Sequence, residues 1–325
     1  MRAFHARLTS VIDKPAAHPR TRASAHPHAA DRRVWRLSWL VHGRFTRSSC
    51  GLPKMLDMNT LASPIARIGH AADAVRPAHL AARLEVLWAR HADDVVEAQR
   101  LRYRVFVDEM GARLSVPAGT PPGLDVDLYD RHCEHLIVRT QETAHAPSQV
   151  IGTYRVLTPG AARLVGGLYS DTEFDLVRLN GLRSRMAELG RSCTDPAWRH
   201  GGVILMLWST LGEFMHRNSL DLVVGCASIS MHDGGHVAAS LWRSLRASHL
   251  APIEEQVTPR LPLPVESLRS DLPAEPPTLI KGYLRCGARV LGAPAWDPAF
   301  GTADLPMMLK LANLPAAYRR RFVAG

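Results

Sequence analysis

The chain has no long apolar run. Its longest strong one, Val203 to Trp208, spans six residues, against about 18 for a helix that crosses a bilayer. That predicts a soluble protein, with peripheral contact at the inner membrane as the most membrane association to expect. Cysteine is scarce too. Cys50, Cys133, Cys193, Cys226 and Cys286 are scattered, and none forms a Cys-x-x-Cys pair. They make no disulfide framework, so free thiols in a reducing, cytoplasmic compartment are expected. Acidic residues are nearly missing from one region only. The first 54 residues hold eleven basic and two acidic side chains, while the other 271 hold 29 and 28. The net charge of +10 is therefore a property of the N-terminal end. The near-neutral remainder lacks the basic stripe of a nucleic-acid binder.

Residues 1–80 are rich in Arg, His, Ala, Ser and Pro. They are expected to form a basic, disordered tail. The composition also suits a transit peptide, and Met55 and Met58 are alternative starts. Residues 35–41 (WRLSWLV) have the pattern of a short amphipathic helix. A single domain is expected over 81–325. Residues 84–90 alternate like a strand, and Asp93 or Asp94 can cap a helix running to about Met110. A Pro/Gly/Asp loop over 111–130 precedes a predicted hairpin, 134–140 and 149–157. Residues 161–186 look irregular or partly helical. A strand at 187–194, a helix at 200–217, a buried strand at 220–229 and a helix at 236–247 follow. Residues 251–277 form a Pro-rich excursion. A helix at 278–286, strands at 288–294 and 305–313, and a basic helix at 315–322 complete the order. This is α/β of the α+β kind, with a mixed, mostly antiparallel central sheet flanked by helices.

Sixteen histidines invite a metal, but the densest cluster, His132-Cys133-Glu134-His135, runs into an apolar strand without zinc-like ligand spacing. No metal is expected. His216-x4-Asp221 resembles a glycerolipid acyltransferase pair, yet it straddles a helix end and lacks that family's glycine-rich partner. Other stretches carry more chemistry. Arg199-His-Gly201-Gly202 opens a predicted helix, where free N–H groups and the helix dipole favour an anion. Glu188 and Arg191 share a predicted strand but face opposite sides of an ideal one. A bulge near Gly190 would bring them to one site. Asp125, Asp127 and Asp130 crowd one loop, and Arg104 and Arg155 could bind a carboxylate or organise those acids.

Strand, Arg199-x-x-Gly202, apolar helix and buried strand together resemble the GNAT N-acyltransferase fold, whose loop cradles pantetheine phosphate. Ile204 stands where that fold has a small residue. This favours a phosphopantetheine arm on a carrier protein over whole coenzyme A. Arg104-Val-Phe106, Gly123 to Asp130, Gly152-Thr-Tyr-Arg155 and Glu188-Leu-Gly-Arg191 resemble the motif series of acyl-homoserine-lactone synthases. The fuller resemblance, over about 80–324, is to the L-ornithine Nα-acyltransferase family of ornithine-lipid biosynthesis. It includes Tyr169–Leu176, Gly225–Ser228, Pro277–Ala288 and Pro294–Leu305.

That resemblance implies transfer of a 3-hydroxyacyl chain from acyl carrier protein to the α-amine of L-ornithine, giving lyso-ornithine lipid. Acyl carrier protein and ornithine are the implied partners. No tightly bound cofactor is implied, only acyl-phosphopantetheine as donor. Glu188 would be the base, Arg191 its organiser, and Tyr283 the acid for the leaving thiolate. Backbone N–H groups near Arg191–Cys193 would polarise the carbonyl. Arg104, Phe106, Asp125, Asp127, Asp130 and Arg155 would hold the acceptor. Arg199, Gly201 and Gly202 would meet the phosphopantetheine. Cys193 reads as a strand thiol before it reads as a nucleophile. A lactone synthase or another amino-acid N-acyltransferase is the alternative within this class. A noncatalytic carrier-protein or membrane-binding module is the alternative outside it.

Overall fold

The computed structural model describes residues 83–144, 146–199 and 201–322. The expectations for residues 1–80 lie outside the described residues. In chain order the elements begin with β1 (Leu84–Trp88), α1 (Ala92–Tyr103), β2 (Glu134–Thr140) and β3 (Val150–Leu157). Next come α2 (Pro159–Val165), α3 (Ser170–Glu173), β4 (Phe174–Asp175) and β5 (Met186–Thr194). Then follow α4 (Gly202–Arg217), β6 (Leu222–Ser230), α5 (His236–His249), β7 (Thr258–Pro259) and α6 (Thr278–Arg285). The last are β8 (Arg289–Val290), β9 (Ala295–Asp297), β10 (Thr302–Lys310) and α7 (Ala316–Phe322).

Most expected elements are present within a residue or two, and the differences have local causes. The first helix is capped by His91, while Asp94 accepts from the N–H groups of Arg90 and His91 at 3.1 and 3.3 Å. After Tyr103 it widens into a π-helical turn, Arg104–Glu109. Of the strand expected over 288–294 only β8 forms, and after a segment that ends in Pro294 a further short strand, β9, stands where none was expected. Proline has no N–H to give a ladder. The last strand begins earlier than expected, at Thr302, and gives way to a 3-10 turn at Leu311–Asn313.

The main sheet runs β1-β2-β3-β5-β6-β10-β8, with β9 on β10. Every strand pair in it is antiparallel except β5–β6. One face is covered by α4. Its Val203, Leu207, Leu211 and Met215 recur every four residues, all at most 4% exposed, and pack on Leu136, Ile151, Tyr154 and Ala187. Strand alternation sends Leu157, Glu188, Val224 and Asp304 to the opposite face. That face is covered by α1 and by the 159–185 segment.

Two departures from a regular sheet position the site. First, the parallel β5–β6 ladder stops at Glu188↔Val224. At the next step a Cβ on Gly225 would lie 2.4 Å from the Leu189 carbonyl oxygen. Only glycine admits that approach, and beyond it β5 and β6 no longer pair. Second, β3 and β5 change register. Thr153 faces Cys193 and Arg155 faces Gly190, so Tyr154 lies opposite both Arg191 and Ser192. This is a β-bulge, one residue beyond Gly190, and Arg191 adopts φ +50° within it. A left-handed conformation costs a non-glycine residue about 1–2 kcal/mol. The side chain supplies the offset.

Three arginines and three aspartates surround that bulge. Arg102, fully buried, donates to Asp125 at 2.9 Å and to both oxygens of Asp130 at 3.0 and 2.8 Å. Arg155 donates to Asp127 at 2.6 Å and to Asp130 at 2.9 Å. Arg191 lies 3.2 Å from both Asp125 and Asp127. Gln99 adds a bond to Asp130 at 2.9 Å. The charges balance, which a buried cluster requires. Burial by itself would raise the Asp130 carboxyl, but Arg102 and then Arg155 hold it far below the usual carboxylate range.

Gly225→Ala should destabilise the protein by about 1–3 kcal/mol, because its Cβ meets backbone that cannot yield. A lowered melting temperature checks this, and an unchanged one would contradict the close approach. The network predicts acid sensitivity. A carboxyl held below its unfolded value stabilises above about pH 4, and that stability fades as pH falls. Asp130→Asn should therefore cost about 3–5 kcal/mol at pH 7, by leaving a buried arginine half-paired. Urea titrations should show the gap from wild type narrowing below about pH 4, and a constant gap would refute the assignment.

Candidate active site

Where β5 and β6 part, a cavity of about 680 Å³ opens across the sheet. Its walls include Phe106, Arg155, Glu188, Arg191, Tyr283 and Asp304. Glu188 and Arg191 thus reach one cavity, as a bulge was expected to allow. Glu188 is 4% exposed. It accepts from the N–H groups of Tyr169 and Ser170 at 2.6 and 2.7 Å and from the Ser170 hydroxyl. Burial pushes its carboxyl above the ordinary value, against the pull of those donors. It is held in one orientation and poised to take a proton.

Arg191 is gripped from several sides. Besides its two aspartates, its guanidinium lies over the Tyr169 ring at 5.2 Å and the Phe300 ring at 4.8 Å. Its Nε is buried and lacks an aligned hydrogen-bond partner. Phe106 stands edge-on to Phe300, with ring centroids 5.7 Å apart. It closes the same wall from the π-helical turn.

The remaining expected residues divide. Asp125, Asp127 and Asp130 were expected to hold a cationic substrate. They are instead neutralised by Arg102, Arg155 and Arg191, so the loop has no spare negative charge to offer. Arg155 organises those acids. Arg104 does not. It is 45% exposed, 3.6 Å from Asp195, and not among the residues lining the cavity. Arg102 has the role expected of Arg104. The spacing of Ala98, Leu101 and Val105, all buried, fixes the inward face of α1. Position 102 lies on that face and 104 does not.

On the α4 side of the sheet the cavity wall is basic. Arg199 lines it and makes a two-pronged pair with Glu109 at 2.5 and 2.7 Å, at the surface. Gly201, at φ +93°, caps α4, whose first N–H groups begin at Gly202. Lys281 and Arg285 from α6 join the same rim. The sequence contained both in Pro277–Ala288, but only α6 packing on α4 brings them beside Arg199.

Tyr283 also lies on this side. Its ring stacks on Trp208 at 5.4 Å, and its hydroxyl hydrogen-bonds that of Tyr154. Burial, reinforced by Tyr154, raises its hydroxyl well above the ordinary range, so it stays protonated. A second, apolar cavity of about 100 Å³ shares Tyr154, Trp208 and Tyr283 with the first. It runs on between α4 and the sheet, past Leu211 and Met215.

Other groups are excluded or newly visible. Burial pushes the Cys193 thiol up to about 12, which makes it a poor nucleophile. His216 is exposed and Asp221 pairs with Arg185 at 2.9 Å, so these two form no site. His135 is buried and bonds the Asp130 carbonyl at 2.9 Å. Among the described residues, the one group with metal-like ligand spacing is Glu173, Cys226 and Asp304. Sequence reasoning missed that trio, because it joins three separate elements.

The model of the acetyltransferase (GNAT) domain matches residues 101–209. The L-ornithine N(alpha)-acyltransferase of Brucella abortus is 33% identical over 247 residues, 72% of this chain and 87% of the relative. That of Agrobacterium fabrum is 34% identical over 246 residues, 72% of this chain and 83% of the relative. Among solved structures, the AHL synthase LasI aligns at 15% identity with a TM-score of 0.43, over 75% of this chain and 96% of that one. An α+β sheet parted at a bulge, a buried carboxylate at the parting and relatives of this similarity lead to one conclusion: the chain belongs to the L-ornithine Nα-acyltransferase family and is an N-acyltransferase.

Proposed function

We propose that the enzyme transfers a 3-hydroxyacyl chain from acyl carrier protein to the α-amine of L-ornithine, releasing lyso-ornithine lipid. The observation that carries this reading is the polarity of the cavity. Glu188, Asp297 and Asp304 line it on one face of the sheet, beside Arg155 and Arg191, whose charges the 125–130 aspartates balance. Arg199, Lys281 and Arg285 rim it on the other, with Arg199 and Lys281 paired with Glu109 and Glu275 at the surface. A cationic amino acid belongs at the first. A phosphopantetheine arm, with one phosphate and an acidic carrier, belongs at the second. The apolar cavity beside the donor face has room for the first few carbons of an acyl chain.

The chemistry follows from the residues. The α-ammonium gives a proton to Glu188, directly or through a water. The freed amine attacks the thioester carbonyl carbon and forms the C–N bond. The oxyanion meets backbone N–H groups near Arg191–Cys193, where the bulge interrupts the ladder. Collapse breaks the C–S bond, and the Tyr283 hydroxyl protonates the departing thiolate. The second proton that the nitrogen sheds on becoming an amide returns to Tyr283 through the Tyr154 hydroxyl or a water; the proton on Glu188 leaves to solvent. An amide and a free pantetheine thiol result. Arg155 and the three aspartates hold the bulge, and Arg191 organises the acceptor side.

Purified protein should release thiol from 3-hydroxyacyl carrier protein only when ornithine is present. Thiol release that depends on S-adenosylmethionine instead, or carrier binding with no turnover, would overturn the proposal. Glu188→Gln should lower kcat about 10²- to 10⁴-fold in protein whose circular dichroism matches wild type. Near-normal turnover would remove Glu188 as the base.

A further inference from the structure

Ornithine carries a second ammonium, four carbons from the first. Enclosing it without a carboxylate partner would cost several kcal/mol. The acids of the 125–130 loop are spent on arginines, and Glu188 is held by the Tyr169–Ser170 turn for the α-amine. One acidic pair near the cavity has no such partner. Glu173 ends α3 and Asp304 lies in β10. Their carboxylate oxygens and the Cys226 sulfur lie within 4.8 Å of one another. Both Glu173 oxygens are buried without a well-aligned hydrogen-bond donor, and their polar neighbours are the Tyr169 hydroxyl, the Cys226 thiol and Asp304 itself. Asp304, 4% exposed, lines the cavity and accepts from the Thr302 hydroxyl at 2.9 Å. No arginine or lysine pairs with either carboxylate within 4.0 Å among the described residues.

The pair is also in the right place. The Ser170 hydroxyl that donates to Glu188 lies 3.5 Å from the Cys226 sulfur. Cys226 and Asp304 therefore line the cavity just beyond the proposed base, on the acceptor face, with the Glu173 carboxylate directly behind them. An amino acid whose α-amine meets Glu188 can extend its side chain toward them.

We propose that Glu173 and Asp304 together bind the side-chain ammonium of the acceptor and so select a diamino acid. This deepens the acceptor reading given above and rests on it. An enclosed ammonium would supply the cation that this pair of carboxylates lacks among the described residues. Crowding and burial support a monovalent guest. They push Glu173 up to about 8 and Asp304 up to about 6, so near neutral pH the empty pair keeps a proton and holds less than two charges. A divalent metal would want both carboxylates ionised and a thiolate. Burial raises the Cys226 thiol well above its ordinary value, which disfavours the thiolate.

The test compares ornithine with norvaline, the same skeleton without the second amine. Calorimetric titration of the full-length wild-type protein should show ornithine binding at least about tenfold tighter, since a site built for a polar group rejects the analogue lacking it. Glu173→Gln and Asp304→Asn should each bring that ratio toward one, in protein that melts near the wild-type temperature. Equal wild-type affinities, variants that keep the ratio, or a preference removed by EDTA would each overturn the assignment. If both variants fail to fold, the wild-type ratio alone decides. If ornithine is preferred in binding but no thioester is cleaved, the acyl-transfer reading fails and the ammonium site stands.

Discussion

The architecture depends on one strained residue and what holds it. Arg191 stands in a left-handed conformation within β5, and the extra residue there turns later side chains of the strand to the other face. Ion pairs to Asp125 and Asp127, and the rings of Tyr169 and Phe300, hold its guanidinium. Arg102 and Arg155 fix those aspartates and Asp130 in turn. The aspartate-rich loop is therefore scaffold for the bulge. Buried charges of this kind add little net stability, but losing one partner is costly. Such a network specifies a geometry more than it adds stability.

The bulge and the parting of β5 from β6 have a shared consequence. A regular sheet is an unbroken wall of backbone hydrogen bonds. Here the wall opens between Glu188 and Thr194, so a reacting group can sit in the plane of the sheet with partners on both faces. Glu188, Asp297 and Asp304 gather on one face, beside arginines that the aspartate loop neutralises, and Arg199, Lys281, Arg285 and Tyr283 lie on the other. A thioester lying in the opening would have its acceptor and its carrier on opposite sides. That arrangement would keep a hydrophilic amino acid apart from a long apolar chain until the amide forms.

Much of this was legible in the sequence where the signal was local. Strand period set Glu188 and Arg191 on opposite faces and so required a bulge near Gly190 if the two were to share a site, and α4 followed from its apolar spacing and Gly201-Gly202. What was not legible was long-range pairing. Asp125, Asp127 and Asp130 look like a cation site until three arginines from α1, β3 and β5 arrive to neutralise them. Arg102 and Arg104 are chemically alike, and only the phase of α1 separates the buried one from the exposed one. Glu173, Cys226 and Asp304 come from α3, β6 and β10, which no local pattern joins. Strand β9 was not expected, because it is three residues long, follows Pro294 directly and is held only by its pairing with β10.

The most direct test of the central claim is a crystal structure with a bisubstrate analogue, a phosphopantetheine arm joined through its acyl carbon to the α-nitrogen of ornithine. The account predicts a ligand that passes through the sheet beyond the Leu189–Gly225 contact, between residues 190–193 of β5 and 226–228 of β6, with its amino acid beside Glu188 and its phosphate at Arg199 and the α4 N-terminus. A ligand lying wholly on one face of the sheet would contradict it.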